Sequence, residues 1–471
     1  MNNRTDLAHI VVKATESGHA APLSALLGPI RAQDWVALDL AVRGQWSLPT
    51  AGWARAGELA PNEAALAAAL CHRDGHIRQA ALAAPGAAAL LPLVAIRCAD
   101  WVAPVRNQAR ELLRGALPQA APEVLAAVTA VALRTAQRQH GGFAHDLLVA
   151  AAREPGAADA LLACEDKAAR RLGHRIAVEQ ERFSPTRLAE IAATDGDVVV
   201  QDLCADAALA AAARAGEYGG ILGPLLGARQ SRVRASGVTA LNRTGDTVRA
   251  AAFLTDRSGV VRACARWVQR QHGIDPVPQY RTACASADVS PGAVAGLGEC
   301  GTRADAALLR PLLAHPRPGV RARAVAALRA LGADDAERLL PLLDDPSGAV
   351  VREVSTTLTP SADRLPEAWL RERLTADRPD RVRKAAFRLL SAHRSMARLR
   401  CFLDLLDDPH PTLRAAARTS LARWAPADAA AGYRALADED RARLDAQLDG
   451  AAATIGERKV TVLHWYLQAS H

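Results

Sequence analysis

The sequence predicts an all-α fold assembled from stacked helix hairpins, and two observations carry that reading. The first is composition: half of the 471 residues are hydrophobic while aromatics make up only 4%. Of 58 basic residues only Lys13, Lys167, Lys384 and Lys459 are lysines, leaving 54 arginines beside abundant Ala and Leu, all strong helix formers. A charged fraction of 23% with this apolar content excludes a fully disordered chain. The second observation is self-similarity, whose sequence period is shorter than any independent domain.

The repeat is plainest toward the C-terminus, in LLRPLLAHPRPGVRARAVAAL, LLPLLDDPSGAVVREVSTTL, WLRERLTADRPDRVRKAAFRLL and FLDLLDDPHPTLRAAARTSL. Each unit has an apolar helix, a short Asp/Pro/Gly turn, and an aliphatic–Arg pair opening a second helix. Arg321, Arg352, Arg383 and Arg414 follow one another at intervals of 31, and the unit recurs upstream at Arg78, Arg106, Arg234 and Arg262. A degenerate copy carries Gln201 in the arginine place.

Three side-chain rules run through these nine units. The residue before the marker is aliphatic: Ile77, Val105, Val200, Val233, Val261, Val320, Val351, Val382 and Leu413. Three residues after the marker stands a small one, Ala81, Ala109, Cys204, Gly237, Ala265, Ala324, Ser355, Ala386 or Ala417. These positions are four apart and share a helical face, so a small residue lets the neighbouring helix approach while the aliphatic fills the space beside it. Third, Asp100, Asp195, Asp256, Asp377 and Asp408 lie six before their markers, with Asp345 one place earlier. In the turn, such a carboxylate is expected to cap the second helix and to pair with a marker arginine. His315 and Ala228 depart from this rule.

The pattern resembles the HEAT-repeat family, including its bacterial HEAT-like branch, and Pro224, Pro311 and Pro341 match that family's kinked first helix. The resemblance implies a right-handed α-solenoid of about a dozen or more helix pairs, with second helices lining a concave face. It covers residues 67–424, with degenerate copies expected around 125–152, 160–180 and 278–300. Residues 1–66, with helix-like stretches at 6–16, 21–28 and 34–42 and the tryptophans Trp35, Trp46 and Trp53, are expected to be divergent repeats or a cap. Residues 425–471 are expected to close the last apolar face.

The N-terminus shows no secretory signal pattern. The charge-free run 79–96 contains Pro85, Gly86 and Pro92 and reads as two helix segments, not a membrane span. Eight scattered cysteines without metal spacing read as small apolar residues of a reducing compartment, so a cytoplasmic location is expected.

The candidates for chemistry are sparse. GLGECG (Gly296, Gly298, Gly301) is a literal GxGxxG, but it follows Ala-rich helix instead of a buried strand and reads as a helix terminus and loop. His72 and His76 straddle a turn, so no metal is expected there. Asp100-Trp101 and Trp267 admit comparison with HEAT-like DNA glycosylases, although Asp100 already occupies the repeat's own turn position. Neither a cofactor nor a metal is expected.

Charge is more informative. The net charge is +8, and residues 302–424 carry +7 of it, with 22 basic and 15 acidic residues. Arg110, Arg266 and Arg418 each lie four after a marker and, with Arg323 and Arg388, form the candidate binding surface. The expected function is a non-catalytic scaffold binding a protein partner, favourably an acidic one, through the concave face. The alternative is nucleic-acid binding, related to the repair glycosylases.

Overall fold

A computed structural model describes residues 30–44 and 62–468 apart from 394–395 and 425–428, with isolated residues (10, 11, 13 and 23) nearer the N-terminus. The helix-like stretches at 6–16 and 21–28 fall largely outside the described residues, as do Trp46 and Trp53. The third stretch, 34–42, lies within helix Ala32–Arg43, which buries Trp35. Among the described residues there is no strand, and the chain is an α-solenoid of short helices joined by tight turns.

Two compact units divide at Ala240 and Leu241. In the first, successive hairpins run from Glu63–Leu70 with Gly75–Ala83, through Leu91–Arg97 with Ala103–Ala116, to Pro185–Thr194 with Val198–Ala215. The expected degenerate copies are present: Pro122–Thr135 with Gly142–Ala151, and Pro155–Ala163 with Lys167–Glu179. The run 79–96 is broken, its two helical segments bending by 112°, and no single helix among the described residues is long and apolar enough to cross a membrane.

In the second unit the paired second helices are Gly259–Gln271, Pro291–Cys300, Pro318–Ala330, Gly348–Leu358, Asp380–Ala392 and Pro411–Ala422. Two of their first helices tighten at proline as the repeat predicts, whereas Pro224 in the first unit sits within the unbroken helix Gly219–Gly227. Ala306–Leu309 passes into the 3-10 turn Arg310–Ala314 at Pro311, and Ala336–Leu339 into Leu340–Asp344 at Pro341, where the missing N–H interrupts the α ladder. The last helices, Asp438–Gly450 and Glu457–Gln468, bury Leu444, Leu448, Val460, Leu463 and Leu467 in one cluster with Phe402 and Trp424.

Every aliphatic residue before a marker is 2% exposed or less. The small residues after the markers are equally buried. At Gly237 an added Cβ would come within 3.0 Å of Leu225, which shows how closely the helices approach there. Burying such a β-branched or Leu side chain contributes roughly 1.5–3 kcal/mol, so each turn of the repeat adds an increment of that size to the stack.

The GxGxxG glycines are a correction in detail. Gly296 and Gly298 lie inside helix Pro291–Cys300, not at its terminus, and only Gly301 ends it. A Cβ at Gly296 would fall 2.0 Å from the Tyr280 ring, and one at Gly298 would fall 2.5 Å from Ala327. These glycines exist so that an aromatic ring and a neighbouring helix can lie against the backbone.

Candidate functional site

The marker side chains define what is ordinary in this molecule, and so what is not. In Arg78, Arg106, Gln201, Arg234, Arg262, Arg321 and Arg414 a terminal nitrogen donates to the carbonyl six residues earlier, at 2.5–2.8 Å. That bond pins the second helix to its own turn. Four markers also reach the next hairpin: Arg78 grips Asp100, Arg262 grips Glu299, Arg321 grips Asp345 and Arg383 grips Asp408.

The turn aspartates therefore act in two directions. Oδ1 of Asp100, Asp195, Asp256, Asp345 and Asp408 accepts the N–H two residues on. The accepted N–H belongs to the N-cap residue, so the carboxylate shapes the turn leading into the helix instead of capping the helix itself. His315, which lacks a carboxylate, does the same through Nδ1, accepting from Arg317 N–H at 3.1 Å. Burial raises the Asp345 carboxyl, but hydrogen bonds from Arg321 and the Ser347 N–H outweigh it and hold Asp345 below the usual carboxylate range.

One marker does neither job. Arg352 is exposed and makes no side-chain hydrogen bond or ion pair among the described residues. The tie it would supply is made from the other side. Buried Arg373, stacked on the Trp369 ring at 3.2 Å, donates to Asp344 at 2.6 and 3.1 Å. Arg352 instead lines a groove of 190 Å³ with Gly348, Val351, Ser355, Arg381, Lys384, Ala385 and Arg388.

This groove lies between consecutive second helices, Gly348–Leu358 and Asp380–Ala392. On the latter, Arg381, Lys384 and Arg388 are spaced i, i+3, i+7 and present one cationic face. Arg381 Nε donates to the Asp345 carbonyl at 3.1 Å, which turns its two terminal nitrogens free of the backbone. Arg388 Nη1 reaches Ser355 Oγ at 3.1 Å and Thr356 Oγ1 at 3.3 Å. The carboxylates near these four cations are already engaged: Asp345 is gripped by Arg321, and Asp380, 3.9 Å from Lys384, hydrogen-bonds His410 at 2.8 Å.

The cluster departs from the repeat. One period earlier the places of Arg381, Lys384 and Arg388 hold Val350, Glu353 and Thr357, and one period later Thr412, Ala415 and Thr419. Stacking thus does not require cations here. Ser355 departs too, being the one serine among the nine small positions, and its hydroxyl receives Arg388.

Of the arginines singled out from sequence, only Arg388 lines the groove. Arg110 donates to the Cys98 and His140 carbonyls and stacks on Phe143 at 4.7 Å. Arg266 donates to Glu299 at 2.6 Å and to the Tyr280 hydroxyl at 3.4 Å, tying adjacent hairpins. Arg418 is exposed, bonded to the Leu406 carbonyl and to Asp407. Arg323 is exposed and without an ion pair among the described residues, apart from the groove lining. Arg352, Arg381 and Lys384 were not distinguished by sequence rules that looked for what the units share. Aligning the units for what they do not share would have found them.

Elsewhere, the Asp100 carboxylate is fully engaged by Arg78, Arg97 and the Val102 N–H. Trp101 projects 60% exposed with Arg43 and Arg78 against its ring. Burial pushes the Cys98 and Cys204 thiols up to about 12 and Cys284 to about 11, far from thiolate chemistry near neutrality.

Residues 277–358 match the family model for HEAT repeats. No curated protein matches the sequence. Among solved structures, Kap121p bound to Nup53p is 14% identical with a TM-score of 0.37, covering 84% of this chain and 52% of that one. Kap121p bound to RanGTP is 16% identical with a TM-score of 0.37, covering 85% and 51%. The complex of the karyopherin Kap121p with the SUMO protease Ulp1p is 13% identical with a TM-score of 0.35, covering 99% and 53%. The chain thus spans about half the length of these structures. Residues 277–358 are thus HEAT repeats, set within an α-solenoid whose markers and turns continue the same hairpin pattern on both sides of them.

Proposed function

We propose that this solenoid is a non-catalytic scaffold that receives an acidic segment of a protein partner along its second helices, with the basic groove as an anchor. The observation that carries this reading is the departure from the repeat: Arg352, relieved of its stacking role, joins Arg381, Lys384 and Arg388 at one junction only. Side chains unnecessary for the stack and held on rigid helices are suited to recognition. The groove lining is cationic, with no imidazole or carboxylate among its residues.

A protein segment is favoured over a nucleic-acid duplex by how local the charge is. A duplex presents phosphates continuously and draws on cations spread along the surface. Here the equivalent positions in the adjoining repeats are Val350, Glu353 and Thr357 on one side and Thr412, Ala415 and Thr419 on the other.

Fluorescence anisotropy of the full chain with a labelled Gly–Glu peptide and a labelled DNA duplex tests the reading. The peptide is expected to bind with an affinity that falls as salt rises, and the double variant Lys384→Glu, Arg388→Glu to lose about tenfold or more. Duplex binding that exceeds peptide binding at equal salt would overturn it in favour of the nucleic-acid alternative.

A further inference from the structure

We infer that the groove between Gly348–Leu358 and Asp380–Ala392 is a subsite for a phosphorylated side chain, phosphoserine or phosphothreonine, carried within the partner's acidic segment. The inference rests on the scaffold reading and narrows it from negative charge in general to a dianionic, three-oxygen group.

Counting donors decides between a carboxylate and a phosphate. Arg352 brings an entire guanidinium, without a partner among the described residues. Arg381 has its Nε committed to the Asp345 carbonyl and retains two terminal nitrogens. Arg388 has Nη1 committed to Ser355 and Thr356 and retains Nη2. Lys384 supplies an ammonium whose nearest carboxylate, on Asp380, is 3.9 Å away and already bonded to His410. A carboxylate carries one negative charge on two oxygens and would leave most of this cluster unneutralised. A phosphomonoester carries about −1.5 to −2 at neutral pH on three acceptor oxygens and can engage several of these donors at once. Paired arginines around a tetrahedral anion are also the recurrent solution for reading phosphorylated segments.

The space agrees with the charge. A volume of 190 Å³ corresponds to roughly six water molecules, enough for a phosphate, its ester oxygen and the attached Cβ. At Gly348 even an added Cβ would meet nothing closer than Arg381 Cδ at 4.0 Å, so this wall of the groove is low. Ser355 acts as a positioning residue: buried, donating to the Arg352 carbonyl at 3.0 Å and accepting from Arg388, it aims that guanidinium across the groove. The corresponding positions in the flanking repeats are Ala324 and Ala386, which could not do so.

The test is a host–guest series on the full chain. One Gly–Glu host peptide is prepared with phosphoserine, glutamate or serine at its central position, and each is titrated by anisotropy at fixed salt, with inorganic phosphate as competitor and a DNA duplex in parallel. The phosphoserine guest is expected to bind about tenfold or more tighter than the glutamate guest. That preference should vanish in Lys384→Glu and in Arg388→Glu and shrink a few-fold in Ser355→Ala, with thermal melting showing each variant folded. Equal affinity for phosphoserine and glutamate guests would overturn the inference and leave the acidic-partner reading standing. Failure of all three peptides to bind, or duplex binding stronger than any of them, would overturn both.

Discussion

Two neighbouring junctions of the second unit share a repeat length and a marker arginine, yet they are built differently. Where Pro318–Ala330 meets the next hairpin, Arg321 bonds the His315 and Pro316 carbonyls and grips Asp345 with two bonds of 2.8 Å. Arg329 adds a second crossing, to Glu353 at 2.7 Å and Thr357 at 2.9 Å. One repeat on, Arg352 holds nothing, and the ties are Arg373 reaching back to Asp344, Arg381 to the Asp345 carbonyl, and Arg388 to Ser355 and Thr356. The comparison teaches that the marker is a stacking device only while no other side chain does its work. With Arg373 carrying that load, Arg352 joins three further cations that have no cationic counterpart in the flanking repeats.

The most severe way to break the comparison is acid, because it attacks the sealed junctions together. Burial raises Asp100, but Arg78, the Val102 N–H and Arg97 outweigh it, and its carboxyl is lowered on balance. Glu299 likewise is raised by burial but lowered overall by Arg262 and Arg266, while Asp305 is lowered chiefly by its bond to Arg281. A carboxylate whose folded value is depressed stabilises the fold above its unfolded value and loses that contribution as pH falls toward the folded one. Unfolding stability followed by circular dichroism is therefore expected to slip modestly as pH falls through about 6.5, where burial opposes protonation of His72 and His174, and to collapse below about pH 4. A loss near pH 6 larger than the one below pH 4 would mean that these histidines, not the carboxylates, govern the stack.

Next in size is the loss of one sealed tie. Arg78 and Asp100 are wholly buried, with Arg78 also donating to the His72 and Arg73 carbonyls. Arg78→Ala strands Asp100 with Arg97 as its remaining cation, and removing one member of a buried pair costs roughly 3–5 kcal/mol. The lower end is expected because Arg97 stays. Urea unfolding would register this as an early loss of the first unit's helicity, since a solenoid need not unfold in one step.

This contrast also explains how much was legible beforehand. Val320, Arg321 and Ala324 recur because every hairpin must bury an aliphatic, pin its turn and admit its neighbour, so the hairpins could be read from sequence. Asp345 stands one place early in that pattern, but its pairing with a marker arginine was foreseeable. Arg373 is not in phase. It lies 29 residues beyond Asp344, in the turn that ends helix Glu367–Glu372, and nothing in the marker spacing reveals that it supplants Arg352. Arg110 and Arg266 illustrate the converse limit. Their place four after a marker is regular, but whether a guanidinium meets solvent or a carbonyl depends on the adjacent hairpin's backbone, which periodicity does not describe. Arg388 was recognised as charged and surplus; its companions required the fold to bring the two helices side by side.

The substituted tie should be weaker than a sealed one. Arg373 is buried, but Asp344 is 38% exposed, so solvent screens the pair. Arg373→Ala is expected to cost roughly 1–2 kcal/mol, including the lost stacking on Trp369. A cost as large as that of Arg78→Ala would show that the substitute has become an equal seal.

Smallest of all, and the sharpest test, is Arg352→Ala. At a sealed junction the equivalent change, Arg321→Ala, removes two bonds to Asp345 and two to turn carbonyls. Arg352 has none of these, so its removal should alter stability by less than about 0.5 kcal/mol in urea unfolding. The same variant should weaken binding of the phosphoserine peptide, because it removes one of four cations from the groove and with it a guanidinium free to pair with the anion. Stability and binding are thus expected to separate at Arg352 and to be inseparable at Arg321. If Arg352→Ala destabilised the chain as much as Arg321→Ala, the arginine would still belong to the stack, and its presence in the groove would no longer distinguish that junction from the others.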